Sequence, residues 1–148
     1  MLLSELFDVN RIKLNECVRD WRDAIVKVGQ LLVESNLVEE RYINAMIKVA
    51  EEYGPYIVLA PGFAMPHARP EDGCLGTGMA MITFAEPINF GNPDNDPVRV
   101  IIALSAKNET DHIIALSQLA ELLSIDKWIE KVSDAQSSKE VMDLIQSP

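Results

Sequence analysis

The feature that most constrains the fold is a set of short, continuous apolar runs lying between amphipathic helical segments. The runs occupy residues 56–60, 78–84 and 98–104, and runs of this kind are typical of strands that are buried on both faces. Polar and apolar residues alternate at residues 11–15, which indicates a further, half-buried strand. Because helical segments lie on both sides of these strands along the sequence, we predict an α/β sandwich.

Apolar residues recur with helical spacing before the first long run. Asp20 is a good N-cap residue for a first helix, which we expect to end at Asn36. A second helix has its buried side at residues 42–50, and Gly54 with the proline after it should stop this helix.

Helical spacing returns after the last apolar run. Thr110 is predicted to cap a helix whose apolar face lies at residues 113–123. Short helices are expected near residues 127–133 and 139–145. Residues 87–97 are rich in Pro, Asn, Asp and Gly and are therefore predicted to form a loop.

Length and charge narrow the class of protein. A chain of 148 residues without repeats or a linker fits one domain spanning residues 1–148. The net charge of −10 disfavours nucleic-acid binding, where affinity comes largely from lysine and arginine. No apolar run approaches the about 20 residues that span a bilayer, and the first residues lack the features of a signal peptide. We expect a cytoplasmic protein without membrane insertion, in which Cys17 and Cys74 are free thiols.

The sequence contains two histidines, and both have suggestive surroundings. His67 follows Met65 and Pro66 just after a predicted strand, and the proline presents it stiffly at the strand end. His112 is predicted in the first turn of a helix, where the dipole disfavours a charged ring and favours a bound anion. The two rings could serve in phosphoryl transfer, with His67 as the acceptor and His112 stabilising the phosphoryl group. Taken singly, each histidine also fits a structural or solvated role, and neither alone identifies a function.

Several residues are candidates for supporting His67. Arg69 is a candidate charge partner for phosphate oxygens. The group that orients the His67 ring remains open among Glu71, Asp72 and a backbone carbonyl. An exposed ion pair between Arg69 and these acids is an equally simple reading.

Other chemistries fit the sequence less well. His67, His112 and Cys74 with an acid could in principle bind zinc, but they lack the paired spacing of zinc sites. The sequence has no Walker loop, so we do not expect ATP hydrolysis. Residues 74–78, CLGTG, read as a turn before a strand rather than as a phosphate loop. No metal and no cofactor are expected.

The segment around His67 resembles a known family. Residues 60–68 read APGFAMPHA, which resembles the active-site signature of mannitol/fructose-type enzyme IIA domains of the sugar phosphotransferase system. Residues 53–58, YGPYIV, residues 69–73, RPEDG, and residues 87–92, PINFGN, are more similar to the ascorbate-specific branch.

This resemblance implies a fold and a function. The fold would be a single mixed sheet of about five strands with helices on both faces. The protein would be a phosphotransferase component without a cofactor. His67 would accept phosphoryl from HPr and pass it to a cysteine of an enzyme IIB, which serves a membrane enzyme IIC for ascorbate-type uptake. His112 would match the second histidine of the family.

The resemblance leaves some residues and one alternative open. Mannitol-type relatives use an arginine in the helix before the signature, and the nearest basic residue here is Lys48, so either Lys48 or Arg69 is its substitute. Four apolar residues near the histidine are expected to form a rim for partner proteins, with burial in the core as the other interpretation: Pro61, Phe63, Met65 and Pro66. The alternative function is a regulatory module, in which phosphorylation of His67 controls a partner protein.

Overall fold

The computed structural model describes residues 2–148, and its strands form one mixed, five-stranded sheet. In chain order the strands are β1 (Ile12–Glu16), β2 (Val58–Ala60), β3 (Phe63–Ala64), β4 (Gly78–Ile88) and β5 (Val98–Ser105). Their order across the sheet is β1-β4-β5-β3-β2. β1 pairs with β4, and β3 with β5, in parallel, whereas β4–β5 and β2–β3 are antiparallel. The mixed sheet expected from the resemblance is confirmed.

The predicted strands are confirmed where the apolar runs are long. β4 and β5 contain the runs at 78–84 and 98–104, and β4 continues four residues further, to Ile88. The run at 56–60 behaves differently, because Gly54–Ile57 forms a short 3-10 turn and only Val58–Ala60 is extended. The prediction of a strand over 56–60 was therefore wrong at its start, since the proline after Gly54 favours a helical turn there.

The strand β3 was not predicted. Gly62 adopts a φ of 77°, a left-handed conformation that glycine tolerates, and the chain reverses there from β2 into β3. The Gly62 carbonyl accepts N–H bonds from Arg99 and Val100 at 2.8 and 3.1 Å. A strand of two residues has no periodicity for a sequence pattern to reveal.

The helices are α1 (Leu3–Leu6), α2 (Trp21–Glu34), α3 (Arg41–Tyr53), α4 (Glu109–Leu123), α5 (Trp128–Ser133) and α6 (Ser138–Gln146). The prediction that Asp20 caps α2 is confirmed, because its carboxylate accepts the Asp23 N–H at 2.8 Å. Asn36 follows the end of α2 with a φ of 58° and so turns the chain out of the helix.

The predicted cap of α4 was wrong by two residues. Asn108, rather than Thr110, is the N-cap residue, and its side-chain oxygen accepts the Asp111 N–H at 2.8 Å. Both residue types are suited to this position, and Asn108 takes it because its backbone is extended while residue 110 is already helical. His112 remains in the first turn.

Helices cover both faces of the sheet, as predicted. One apolar cluster joins α2 and α3 to one face through side chains that include Ile25, Val28, Tyr42, Met46, Ile82 and Ile101. A second cluster joins α1, α4, α5 and α6 to the other face through side chains that include Leu6, Met81, Ile102, Leu119, Trp128 and Val141. Neighbouring residues of β4 and β5 contribute to opposite clusters because side chains alternate along a strand. The α/β sandwich is confirmed.

Two further sequence predictions concern the whole chain. Cys17 and Cys74 are both free thiols, as expected. No helix within residues 2–148 has the length and apolar composition needed to cross a membrane.

Candidate active site

His67 lies beside the end of β5, where the pairing of β3 with β5 continues. Phe63 and Ala64 of β3 are in register with Val100 and Ile101, and His67 forms a further parallel bridge with Leu104. The Leu104 N–H donates to the Pro66 carbonyl at 3.3 Å. The backbone of His67 is thus fixed to the sheet although the residue lies outside the named strands.

The chain leaves His67 through a short 3-10 turn at Pro70–Asp72. The Asp72 carboxylate accepts the Arg69 N–H at 3.0 Å and closes this turn. We call residues 66–72 the His67 wall, because they form one side of the cleft described below.

His112 faces His67 from the first turn of α4. The centroids of the two imidazole rings are 5.5 Å apart, and the ring planes meet at 60°. Both residues are half-buried. The structure therefore brings together the two histidines that the sequence singled out.

The start of α4 is held by side chains as well as by its cap. The Thr77 hydroxyl donates to the Asp111 carboxylate at 2.7 Å and accepts the Lys107 N–H at 3.0 Å. We call residues 106–112 the His112 wall. The sequence analysis did not identify Thr77 or Asp111, because nothing in their local pattern marks a contact between distant segments.

The tautomer of His67 follows from its contact with the backbone. Its Nδ1 lies 3.3 Å from the Met65 carbonyl oxygen, which can only accept a hydrogen bond. A neutral ring in this position carries its proton on Nδ1, so the lone pair lies on Nε2. Of the three orienting groups left open by the sequence, the backbone carbonyl is the one in contact with the ring.

The surroundings of His112 disfavour a charged ring. Burial lowers the pKa of His112, and the nearby His67 ring lowers this pKa further, while the Glu109 carboxylate opposes both effects. A neutral imidazole has one N–H donor and one acceptor nitrogen. A neutral His112 can therefore donate its ring N–H to an oxygen of a bound anion.

The two histidines lie in a cleft of about 630 Å³. Besides the His67 wall and the His112 wall, the cleft has a third side on α3, which we call the α3 wall and which consists of Ala45, Lys48, Val49, Glu52 and Tyr53. A cleft of this size at the end of a sheet strand can admit a phosphoryl group together with the side chain that carries it.

Arg69 and Lys48 both line the cleft but differ in their partners. The Arg69 Nε lies 3.5 Å from Glu71 and 3.6 Å from Asp72, and the Arg69 side chain is 76% exposed. Lys48 forms no ion pair with any residue in the range 2–148. The geometry agrees with an exposed ion pair at Arg69 and leaves the Lys48 ammonium group as the available cation.

The expected rim for partner proteins was wrong for three of its four residues, while Pro61 is exposed but does not line the cleft. Phe63 and Met65 are 0% and 1% exposed, and Pro66 is also buried. Phe63 belongs to a strand that is paired on both sides, and Met65 packs into the apolar cluster beneath α4, α5 and α6. These residues form core rather than rim, which was the other interpretation of their apolar character.

Two other apolar side chains are exposed near the cleft. Tyr53 on the α3 wall is 62% exposed, and Ile113, which follows His112, is 59% exposed. Ile113 was predicted on the apolar face of α4, which was wrong, because this residue lies near the start of the helix beside the open cleft. Tyr53 was not singled out, because a helical pattern identifies buried faces and not apolar side chains that remain in solvent.

The remaining candidate ligands do not assemble around the histidines. Cys74 has its thiol within 3.2 Å of the Gly76 carbonyl and 3.0 Å of the Ser105 hydroxyl. Within residues 2–148 no three His, Cys, Asp or Glu side chains are grouped as metal ligands would be.

Comparison with known proteins places this geometry in a family. The family described as "Phosphoenolpyruvate-dependent sugar phosphotransferase system, EIIA 2" matches residues 5–147. The ascorbate-specific PTS system EIIA component of Shigella boydii is 38% identical over 146 residues, which is 97% of this chain and 94% of that protein.

Solved structures give the same result. The mannitol-specific cryptic phosphotransferase enzyme IIA CmtB of Escherichia coli is 38% identical with a TM-score of 0.88, and the match covers 100% of both chains. A complex of enzyme IIAMTL with phosphorylated enzyme IIBMTL from Escherichia coli matches 96% of this chain and 98% of that chain, with 28% identity and a TM-score of 0.84. The chain belongs to the EIIA 2 family of the phosphoenolpyruvate-dependent sugar phosphotransferase system, whose members are phosphotransferase phosphocarriers.

Proposed function

We propose that this phosphocarrier holds its phosphoryl group on Nε2 of His67, receives it from HPr and passes it to a cysteine of an enzyme IIB. The observation that carries the proposal is the state of the His67 ring. Its Nδ1 contacts the Met65 carbonyl, and its other nitrogen is left with a free lone pair in a cleft shared with His112.

The transfer has two balanced steps. In the first, the Nε2 lone pair attacks the phosphorus atom carried by HPr, and the bond between phosphorus and HPr breaks with its electron pair leaving on HPr. In the second, the enzyme IIB thiolate attacks the same phosphorus, and the electron pair of the N–P bond returns to Nε2. The proton stays on Nδ1 throughout and is donated to the Met65 carbonyl oxygen, so His67 needs no change of tautomer.

His112 and Lys48 have complementary roles in this scheme. A neutral His112 donates an N–H to a phosphoryl oxygen, and the Lys48 ammonium group supplies positive charge from the α3 wall. Phosphoryl transfer depends mainly on positioning and on donors around the phosphoryl oxygens, so two such groups suit the reaction.

The cleft mouth is suited to transient protein partners. Tyr53 and Ile113 supply exposed apolar area, and the net charge of −10 favours partners with basic faces. The solved complex of a related enzyme IIA with phosphorylated enzyme IIB supports enzyme IIB as the acceptor. A cytoplasmic location suits a carrier that serves a membrane enzyme IIC.

Ascorbate-type uptake is the proposed transport role. It is supported by relatives whose name is ascorbate-specific PTS system EIIA component and by the sequence segments near His67. A mannitol-specific relative is equally identical at 38%, so substrate choice must be tested through the enzyme IIB partner.

Transfer from purified phospho-HPr tests the proposal. We expect an acid-labile, base-stable label on His67 that His67→Gln abolishes, followed by passage of the label to an ascorbate-type enzyme IIB. Label that persists in His67→Gln would overturn the acceptor assignment. Labelling of His67 without passage to any enzyme IIB would instead favour the regulatory alternative.

A further inference from the structure

Tyr42 is a buried residue of α3 whose hydroxyl hydrogen-bonds to two backbone segments beside His67, one that follows His67 in the chain and one in β5. Its side chain is 1% exposed, and the hydroxyl donates to the Leu104 carbonyl at 2.8 Å. The same oxygen accepts the Ala68 N–H at 3.0 Å. One hydroxyl thus links the residue after His67 to the residue of β5 that pairs with His67.

The Tyr42 hydroxyl lies where the pairing of β3 with β5 continues past His67. In a regular parallel ladder, the N–H of the residue that follows a bridge donates directly to the carbonyl of the opposite residue. His67 bridges Leu104 in the register set by β3 and β5, so the direct bond would join Ala68 to Leu104. The Tyr42 hydroxyl hydrogen-bonds to both of these groups, donating to the Leu104 carbonyl and accepting the Ala68 N–H.

The residues before and after His67 are therefore both held by hydrogen bonds. On one side the Leu104 N–H donates to the Pro66 carbonyl at 3.3 Å. On the other side the Tyr42 hydroxyl accepts the Ala68 N–H at 3.0 Å. Pro66 has no N–H of its own, which leaves few other backbone contacts to place the ring.

We propose that Tyr42 is a positioning residue, whose hydroxyl sets how far the His67 ring stands from β5 and hence from His112. The inference rests on the proposed function of His67. Tyr42 lies on the same helix as the α3 wall, so its hydroxyl also fixes the His67 wall relative to Lys48. Burial raises the pKa of Tyr42, which keeps the hydroxyl protonated and able to donate to Leu104.

The substitution Tyr42→Phe removes the hydroxyl and retains the aromatic ring. The Ala68 N–H then loses the Tyr42 oxygen as its acceptor and the Leu104 carbonyl loses a donor, which loosens the backbone after His67 and lets the ring shift. We expect faster hydrogen exchange at the Ala68 amide and altered ring-nitrogen signals of His67 in ¹⁵N NMR. A misplacement of about 1 Å can cost about 100-fold in rate, so we expect the maximal transfer rate to fall at least about 10-fold.

Measuring KM for phospho-HPr distinguishes a residue that positions His67 from one that contacts the partner protein. Tyr42 is too buried to touch a partner protein, so KM for phospho-HPr should stay unchanged while the maximal rate falls. Rates are compared at a temperature where circular dichroism shows the variant to be folded. Tyr56→Phe is the matched control, because Tyr56 is 78% exposed and lies outside the cleft.

Several outcomes would overturn the proposal. A folded Tyr42→Phe protein with unchanged His67 ring signals contradicts it, whether or not His67 proves to be the phosphoryl acceptor. An absence of label in the wild-type protein would refute the proposed function, and the ring signals alone would then decide the role of Tyr42. If Tyr42→Phe does not fold, the wild-type protein decides, because a freely exchanging Ala68 amide refutes the hydrogen bond and a protected one supports it.

Discussion

The His67 wall and the His112 wall face each other across one cleft, but they are held in different ways. The His67 wall is fixed by backbone pairing to β5 and by a buried hydroxyl. The His112 wall is fixed by an exposed asparagine cap and by a hydrogen bond between two side chains, Thr77 and Asp111. The comparison indicates that the proposed acceptor ring is held through the backbone, whereas the ring proposed to assist it is held by side-chain contacts that single substitutions can weaken.

Substitution of each histidine in turn should give the largest functional difference between the two walls. His67→Gln removes the nitrogen that forms the bond to phosphorus, so we expect no stable label at all. His112→Ala leaves this acceptor in place and removes one donor, which should slow transfer about 100-fold. Labelling from phospho-HPr measures both effects, and equal loss in the two variants would contradict the division of roles.

Substitution on the α3 wall should have the next largest effect on the transfer rate. Lys48→Met removes an ammonium group that forms no ion pair within residues 2–148, and we expect a loss of about 10-fold in transfer rate, equivalent to about 1.4 kcal/mol. Arg69→Met should cost less, because exposed ion pairs contribute only about 0–1 kcal/mol. A larger loss in Arg69→Met than in Lys48→Met would restore Arg69 as the charge partner.

The support of the His112 wall can be broken without touching either ring. Thr77→Val removes the hydroxyl that bonds to Asp111 and Lys107, so we expect a loss of about 1 kcal/mol in the free energy of unfolding and slower transfer. Thr110→Val is the matched control on the exposed surface of α4, and its effect should stay within about 0.5 kcal/mol. Urea denaturation compares the two variants, and equal effects would contradict a role for Thr77.

The pH dependence of stability gives the smallest effect. Because folding lowers the pKa of His112, the unfolded chain binds more protons than the folded one just below the ordinary value of 6.5. The free energy of unfolding should therefore fall as pH decreases through about 6.5, and the contribution of His112 is fully present above that value. His112→Ala should weaken this dependence, and an unchanged pH profile in that variant would refute it.

Much of the fold was predictable, and the errors have physical causes. β4 and β5 are long enough for continuous apolar runs to reveal them, whereas β2 and β3 owe their structure to their neighbours. Sequence patterns could not separate Asn108 from Thr110 as the cap of α4, because both residue types suit that position.

The site was predictable only in part, for a related reason. The surroundings of His67 and His112 singled out both residues, and the contacts that hold them join distant parts of the chain. Tyr42 is read from the sequence as one more apolar position on α3, and only the fold brings its hydroxyl to Ala68 and Leu104. The apolar character of Met65 likewise fits a rim as well as the core, and only the fold places it in the core.

The central claim is that His67 reacts through Nε2 because the Met65 carbonyl holds the proton on Nδ1. NMR of the phosphorylated protein with ¹⁵N-labelled histidine tests this directly. We predict that phosphorus is bonded to Nε2 of His67 and that Nδ1 keeps its proton. A bond between phosphorus and Nδ1, or a phosphoryl group on another residue, would contradict the account.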